Sequence, residues 1–309
     1  MYRLLRIGVR AAWALDEHRI IISIGSIIYE LNLENGELSS GYYCGEGIRP
    51  LIFTQVKGVS TIEESIYFGG YLNNMGKKSV HVYKRTNIDC YEVVYTFPFG
   101  SINHIHAIVN DPYRDCLWIL TGDFGKAAAI WKVTENFKSV KRVGYNCQKY
   151  RGCVAFAIPE GLLYATDAPF TDNFIFLMNP SDYSIKAITA IYGSCIYGTQ
   201  WKDQYVFSTT VEGDGRNTSR FEFWFGRKRG AGIKDKYVHM YCGTIKEGFH
   251  EIYKEEKDNM PYYTFQFGVF KFPYGENKND KLYFQPIATK KNDLSLIALN
   301  KIDSSIENL

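Results

Sequence analysis

The sequence predicts an all-β fold, in which residues 1–309 form one β-propeller of four-stranded blades. The first observation behind this prediction is composition, because 16% of the 309 residues are aromatic and 27 glycines are available for turns. Aromatic side chains fit the pleated, half-buried surface of a sheet. The second observation is a repeat of short apolar strands with a period of about 46 to 55 residues, which is the size of a propeller blade.

Four consecutive repeats share one order of parts: an apolar strand, a tight turn, a strand with a polar tip, a loop, and two further strands joined by a polar turn. Each strand is short and is bounded by Gly, Asn, Asp or Pro, as strand signals require. The second strands are SIYFGGY, CLWILTGD, LLYATDAP and QYVFSTTVEGD, the third are SVHVYKRT, AAAIWKVT, NFIFLMNP and YVHMYCGT, and the fourth are YEVVYTF, VKRVGYN, SIKAITAI and HEIYKEE.

The segments outside these four repeats complete the ring. Residues 12–43 supply an earlier blade, and the stretches YTFQFGVFKFP, KLYFQPIA and LSLIALN supply three strands of a last one. The N-terminal YRLLRIG is the candidate for the missing outer strand, which would close the ring and leave no open sheet edge. We therefore expect six blades, with five or seven as alternatives because the basic insertion at about 213–236 has room for a strand or two.

Composition also narrows the classes of function. The formal net charge of +3 is too small for this length to indicate a nucleic-acid binder. The N-terminus has no unbroken apolar segment that ends in a cleavage site, and no stretch approaches the roughly 18 apolar residues of a membrane span. The seven cysteines are scattered without a C-x-x-C pair, so we expect free thiols and a cytoplasmic location, with export by a route that needs no classical signal left open.

The repeat predicts a polar rim at one end of the central channel. In an antiparallel blade, the start of the first strand and the end of the second lie on the same face. Polar groups that converge on a concave face mark the default binding site. The first-strand starts carry Arg49, His104, His106, Arg151 and Tyr197, and the second-strand tips carry Tyr71, Asp123, Asp167 and Glu212.

The pair His104 and His106 is the most chemically specific feature of this rim. Side chains alternate along a strand, so both imidazoles point to the same side. Three interpretations stay open: a divalent metal site completed by Asp123 or Asp167, a catalytic or ligand-binding role, and a structural role in the channel wall. Only the first of these interpretations requires a cofactor.

Two turns between third and fourth strands, in KVTENFKSVKRV and KRTNIDCYEVV, resemble the Asp-box turn S-x-D-x-G-x-T-W of sialidase-like (BNR-repeat) propellers. Arg49 in GIRPLI also resembles the R-I-P segment that carries the first of the three sialidase arginines. The resemblance implies a carbohydrate ligand and the sialidase set of groups: the carboxylate-binding arginines Arg49, Arg151 and Arg216 or Arg220, the nucleophile pair Tyr197 and Glu212, and the acid Asp123 or Asp167.

The same rim is similar to the sites of propeller lyases such as the oligogalacturonate and ulvan lyases. Elimination next to a uronate carboxylate needs a group that neutralises the carboxylate, a base and an acid. The similarity implies His104 or His106 as base, Tyr197 as acid, and Arg49 with Arg151 as the carboxylate clamp. The sequence thus predicts an enzyme that acts on an acidic oligo- or polysaccharide by elimination or hydrolysis. The alternative is a non-catalytic propeller that binds a glycan or a protein through the same face.

Overall fold

A computed structural model of the protein describes residues 8–216 and 219–300. The strands in these residues form six sheets, and the innermost strands enclose a central channel. The chain is therefore a six-bladed β-propeller, as the repeat predicts, and the alternatives of five or seven blades are removed. Of the α-helices in the described residues, none is long and apolar enough to cross a membrane.

The first three blades each have four strands in chain order. Their bounds are β1 (Ala11–Ala14), β2 (Arg19–Ile24), β3 (Ile27–Asn32) and β4 (Tyr42–Tyr43) in blade 1, β5 (Phe53–Val56), β6 (Ser65–Gly69), β7 (Val80–Asn87) and β8 (Cys90–Phe97) in blade 2, and β9 (His104–Asp111), β10 (Cys116–Gly122), β11 (Ala129–Thr134) and β12 (Ser139–Tyr145) in blade 3.

The last three blades continue the pattern with one exception. Their bounds are β13 (Gly152–Ile158), β14 (Gly161–Thr166), β15 (Asn173–Met178) and β16 (Ile185–Ile191) in blade 4, β17 (Cys195–Trp201), β18 (Gln204–Thr209), β19 (Tyr237–Thr244) and β20 (Gly248–Glu256) in blade 5, and β21 (Val269–Lys271), β23 (Lys281–Ile287) and β24 (Ile297–Asn300) in blade 6. The short β22 (Glu276–Asn277) pairs in parallel with β17 of blade 5.

Blade 6 has three strands in the described residues. The predicted closing strand, YRLLRIG, falls almost wholly outside the described residues. The prediction that YTFQFG begins the first strand of this blade is wrong, because Tyr262–Phe265 forms a helical turn directly after Pro261. The ring of Tyr263 stacks on Phe223 at a centroid distance of 4.2 Å, and this contact holds the turn against the blade-5 insertion.

The blade-5 insertion lies between β18 and β19, where the sequence places it. It contains a short helix, α1 (Arg220–Phe225), which begins at a capping box formed by Ser219 and Glu222. The backbone of Gly232 donates to the Pro169 carbonyl oxygen at 2.9 Å, so the insertion packs against the tip of blade 4.

Three of the first strands carry a β-bulge at the same level. In blade 3 the bulge leaves His106 without a partner, because Ile105 pairs with Thr121 and Ala107 pairs with Leu120. The corresponding residues without a partner are Cys153 in blade 4 and Ile196 in blade 5. Bulges redirect side chains beside functional sites, and this row lies next to the channel.

The NDPYRD turn of blade 3 is held by a buried carboxylate. Asp111 is fully buried and accepts hydrogen bonds from Trp118 Nε1 at 2.7 Å and from Arg114 Nε at 2.6 Å. Arg114 Nη2 in turn donates to the Ile158 carbonyl oxygen of blade 4 at 2.8 Å. The turn therefore connects blade 3 to blade 4 through a hydrogen bond of Arg114, whose guanidinium is held in place by the ion pair with Asp111.

We predict that Asp111→Ala lowers the free energy of unfolding by about 3 to 5 kcal/mol, because it leaves the Arg114 charge and the Trp118 N–H without their acceptor. Denaturant unfolding of the variant and the wild type measures this loss. The matched control is Asp182→Ala in the exposed turn of blade 4, whose carboxylate accepts hydrogen bonds from Ser184 of the same turn. A loss at Asp111 no larger than the loss at Asp182 would contradict the assignment.

Candidate functional site

The strand register brings the predicted rim together. His104 lies opposite Gly122 at the end of β10, so Asp123 follows at once. Arg49 and Tyr71 pair with each other in blade 2, and the Asp167 backbone donates to the Arg151 carbonyl oxygen at 2.9 Å in blade 4. Starts of first strands and tips of second strands therefore meet on one face, as the repeat predicts.

His104 and His106 direct the same type of nitrogen at each other. His104 Nδ1 lies 3.0 Å from the Leu72 carbonyl oxygen, and His106 Nδ1 lies 3.0 Å from the Gly152 carbonyl oxygen. A carbonyl oxygen only accepts, so both Nδ1 atoms carry the proton and both neutral rings present an Nε2 lone pair. The two Nε2 atoms are 3.0 Å apart.

Asp123 completes this group of acceptors. Its Oδ1 lies 3.2 Å from His104 Nε2 and 3.4 Å from His106 Nε2. We call the three atoms His104 Nε2, His106 Nε2 and Asp123 Oδ1 the histidine centre. Three acceptor atoms this close repel one another unless a positive charge lies among them. The centre therefore requires a proton or a metal ion.

Gly122 makes the close approach of His106 possible. A Cβ atom at this position would lie 2.2 Å from Cε1 and 2.3 Å from Nε2 of the His106 ring. The imidazole thus occupies the space that any larger residue at position 122 would fill. His104 and His106 are only 5% and 3% exposed, so neighbouring groups fix both rings.

An ion-pair network flanks the histidine centre. Arg151 Nη2 lies 3.2 Å from Asp123 Oδ1 and 3.0 Å from Asp167 Oδ2. Burial alone raises the pKa of Asp123, but a proton on Nε2 of His104 or His106, which is donated to this carboxylate, and the charge of Arg151 outweigh burial and hold this pKa well below its usual range. Burial lowers the pKa of Arg151, but Asp167 and Asp123 more than compensate and raise it. Asp123 and Arg151 are therefore both charged.

Two buried groups, Cys153 and Glu212, interact with Asp167 of this network. Cys153 Sγ donates to Asp167 Oδ2 at 3.4 Å, and burial followed by the Asp167 charge raises the pKa of the thiol well above its usual value. Burial and the charge of Asp167 also raise the pKa of Glu212 to about 7. Within residues 8–216 and 219–300, Arg151 Nη1 and Asp167 Oδ1 are buried and have no hydrogen-bond partner.

The Tyr71 ring packs against His104 and lies near two arginines, Arg10 and Arg49. Its ring lies 4.3 Å from the His104 ring, and burial raises the pKa of its phenol. The guanidinium carbons of Arg10 and Arg49 lie 5.4 Å and 5.9 Å from the centroid of the Tyr71 ring. The sequence interpretation missed Arg10, although it directly precedes β1 just as Arg151 directly precedes β13.

Arg216 belongs to a stack of side chains at the edge of the rim. Arg151 Cζ lies 5.0 Å from the Phe124 ring, Phe124 stacks on Phe170 at 5.8 Å, and Arg216 Cζ lies 3.6 Å from the Phe170 ring. Arg216 also pairs with Asp214 at 3.1 Å. Phe124 and Phe170 lie between Arg216 and Arg151 in this stack. The structure therefore does not bring Arg216 to the histidines.

The prediction that Tyr197 occupies the rim position of blade 5 is wrong. Cys195 pairs with Thr209 as Gly152 pairs with Thr166, so Ser194 is the residue that corresponds to Arg151. Tyr197 lies three residues farther along the chain than this position, because the repeat of blade 4 is shorter than the repeat of blade 3. Tyr197 lines the channel cavity there.

The channel cavity lies on the inner side of the histidine centre. Its volume is about 820 Å³, and its wall includes His106 and Cys153 near the rim and Asn110 and Tyr113 at the opposite end of blade 3. His106 therefore contacts both the rim and the channel. Cys153 was also missed by the sequence interpretation, although RGC aligns with HIH as a first-strand start.

No protein-family model matches the sequence, and no curated protein matches it. Among solved structures, the chain is similar to Kuenenia stuttgartiensis hydrazine synthase, with a TM-score of 0.56 and 11% identity over 90% of this chain and 73% of that one. It is also similar to a prolyl endopeptidase, with a TM-score of 0.51 and 10% identity over 96% of this chain and 43% of that one. Likeness at these identities establishes the β-propeller fold alone.

We predict that Glu212→Gln stabilises the protein at pH 8 by on the order of 2 kcal/mol and has little effect at pH 4. The folded state holds the Glu212 proton up to a pKa of about 7, whereas the unfolded chain releases it near 4.5. Wild-type stability therefore falls as the pH rises between these values, and glutamine does not titrate. Denaturant unfolding at both pH values measures the difference, and an equal effect at pH 4 and pH 8 would contradict the raised pKa.

Proposed function

We propose that this protein is a carbohydrate-active β-propeller that binds an acidic glycan at the rim and cleaves it by β-elimination next to a uronate carboxylate. The main support for this proposal is the position of Tyr71, whose ring lies 4.3 Å from the His104 ring and within 6 Å of the guanidinium carbons of Arg10 and Arg49. This arrangement combines a proton donor, a basic centre and two cations within reach of one sugar. The cytoplasmic location inferred from the sequence stays a prediction.

Arg10 and Arg49 are the groups that we assign to the substrate carboxylate. Guanidinium groups bind carboxylates in a bidentate manner, and two that converge neutralise the carboxylate charge and acidify the proton on the neighbouring carbon. The sequence interpretation assigned this clamp to Arg49 with Arg151. Because Arg151 already contacts Asp123 and Asp167, we give its place in the clamp to Arg10.

Tyr71 and the histidine centre would move the protons. The centre takes the proton from the carbon α to the carboxylate, and the electron pair of that C–H bond forms a double bond to the β carbon. The bond from the β carbon to the glycosidic oxygen breaks, and the departing oxygen takes the phenol proton of Tyr71. Burial favours the protonated phenol, because it raises the pKa of Tyr71.

Hydrolysis of the sialidase type has less support from the same residues. It requires Tyr197 and Glu212 to act together, but Tyr197 lines the channel cavity farther along its strand, and Glu212 lies with Asp167 and Thr210. The alternative without catalysis is a glycan-binding module, which would use Arg10 and Arg49 in the same way. The two alternatives differ from elimination in their products.

The test is incubation of the purified chain with a panel of uronate- and sialate-containing polysaccharides, with two signals followed together. Elimination produces ultraviolet absorbance from the new unsaturated uronate as well as reducing ends. Reducing ends without this absorbance would contradict elimination and favour hydrolysis. Binding without either signal would contradict catalysis and favour the binding module.

We predict that Tyr71→Phe lowers kcat by about 100-fold or more with little change in KM, because it removes the proton donor and keeps the ring. Arg10→Gln should instead raise KM, because it removes a carboxylate contact. The matched control is Tyr145→Phe, an exposed tyrosine at the end of β12. Loss of activity in the control that equals the loss in Tyr71→Phe would contradict the assignment.

A further inference from the structure

We infer that the histidine centre is a binding site for a divalent first-row metal ion of the Zn²⁺ type, held by His104 Nε2, His106 Nε2 and Asp123 Oδ1. Metal binding here follows from the arrangement of these atoms and does not depend on the substrate. Its chemical role in elimination, given at the end, rests on the proposed function.

The two imidazoles are oriented in the way that metal ligands require. The contacts from His104 Nδ1 to the Leu72 carbonyl oxygen and from His106 Nδ1 to the Gly152 carbonyl oxygen place the ring protons away from the centre. Histidines that bind a metal generally use the second ring nitrogen in this way, and the hydrogen bond fixes both the tautomer and the ring orientation. Both lone pairs are thus directed inward before any ion arrives.

The distances between the three ligand atoms suit a bound metal ion. The three distances between the ligand atoms are 3.0, 3.2 and 3.4 Å. A point about 2.1 Å from all three atoms exists just outside their plane, and the angles between the bonds there would be roughly 90° to 110°. These values fit an ion with three protein ligands on one side and open positions on the other.

Neighbouring residues hold the ligands of the histidine centre in place. The Gly122 position has no Cβ, which leaves room for the His106 ring, and both imidazoles are more than nine-tenths buried. Arg151 orients the carboxylate through Asp123 Oδ1, and Gln148 Nε2 donates to the Asp123 backbone carbonyl at 2.9 Å. The Asp123 side chain is 28% exposed, so a substrate atom or water can reach this ligand from the rim.

The donor set selects the class of metal. Two imidazole nitrogens with one carboxylate oxygen suit Zn²⁺ and its first-row neighbours, whereas Ca²⁺ and Mg²⁺ prefer oxygen ligands alone. His106, Cys153 and Asp167 form a second group of donor atoms within 4.8 Å of one another. That group is a weaker candidate, because the Cys153 thiol donates its proton to Asp167 Oδ2 and is therefore not a thiolate ligand.

A water molecule on this ion would be acidified and would become a hydroxide near neutral pH. An ion held by His104, His106 and Asp123 would in this way supply the base that the proposed function requires at the histidine centre. The positive charge of the ion would add to those of Arg10 and Arg49 beside the substrate carboxylate. The two imidazoles would then act as ligands and hold the base in place.

The test is calorimetric titration of the full chain with Zn²⁺ after treatment with a chelator, together with thermal unfolding before and after addition. We expect one Zn²⁺ per chain and a rise in the unfolding temperature, and neither effect from Ca²⁺ or Mg²⁺ at the same concentration. Asp123→Asn and His104→Gln should each weaken Zn²⁺ binding by more than about 100-fold, because even the loss of an outer-shell partner costs roughly 10- to 100-fold. The control variant His250→Ala, at an exposed histidine of β20, should bind Zn²⁺ as the wild type does.

The inference is overturned if the chelated wild type takes up no Zn²⁺, if Asp123→Asn and His104→Gln both bind it as tightly as the wild type, or if His250→Ala loses it equally. The wild-type titration decides the matter even where a variant does not fold. Zn²⁺ binding without any cleavage product would overturn the proposed function and leave the metal site standing. Cleavage by chelated, metal-free protein would overturn the hydroxide role alone.

Discussion

The site depends on two hydrogen bonds between histidine Nδ1 atoms and backbone carbonyl oxygens of neighbouring blades. His104 in blade 3 contacts Leu72 in the loop between β6 and β7 of blade 2, and His106 contacts Gly152 in blade 4. The orientation of both rings therefore follows from the packing of three blades. A buried side chain that bridges rigid elements loses little further entropy when it binds a ligand, which is the basis of preorganisation. A channel rim supplies this arrangement because the starts of all first strands converge there.

The rim contains more buried charge than the stability of the fold requires. Asp123, Arg151 and Asp167 form a buried network, and burying such groups in place of apolar side chains seldom adds stability. Arg151 Nη1 and Asp167 Oδ1 remain without partners in the described part of the chain. Native proteins keep few such groups, and those they keep commonly mark sites of function. This buried charge is the reason why we propose the polar rim as the site of binding or catalysis.

The repeat in the sequence was sufficient to predict the blades and the common face of the rim. His104, His106, Asp123, Arg151 and Asp167 meet there, because antiparallel pairing and strand length alone bring them together. The position of Tyr197 could not be obtained in this way. The repeat of blade 4 is shorter than the repeat of blade 3, so an even spacing places the corresponding residue of blade 5 too far along the chain. The strand register is needed to identify Ser194. The tautomers and the stack that holds Arg216 depend on contacts between blades.

The histidine centre requires a positive charge, and we propose that a metal ion supplies it. Anomalous diffraction at the zinc absorption edge, from crystals grown with Zn²⁺, would locate this ion. We expect one strong peak about 2.0 to 2.2 Å from His104 Nε2, His106 Nε2 and Asp123 Oδ1. A map without a peak at this position, in which the two nitrogens stay 3.0 Å apart, would contradict the claim.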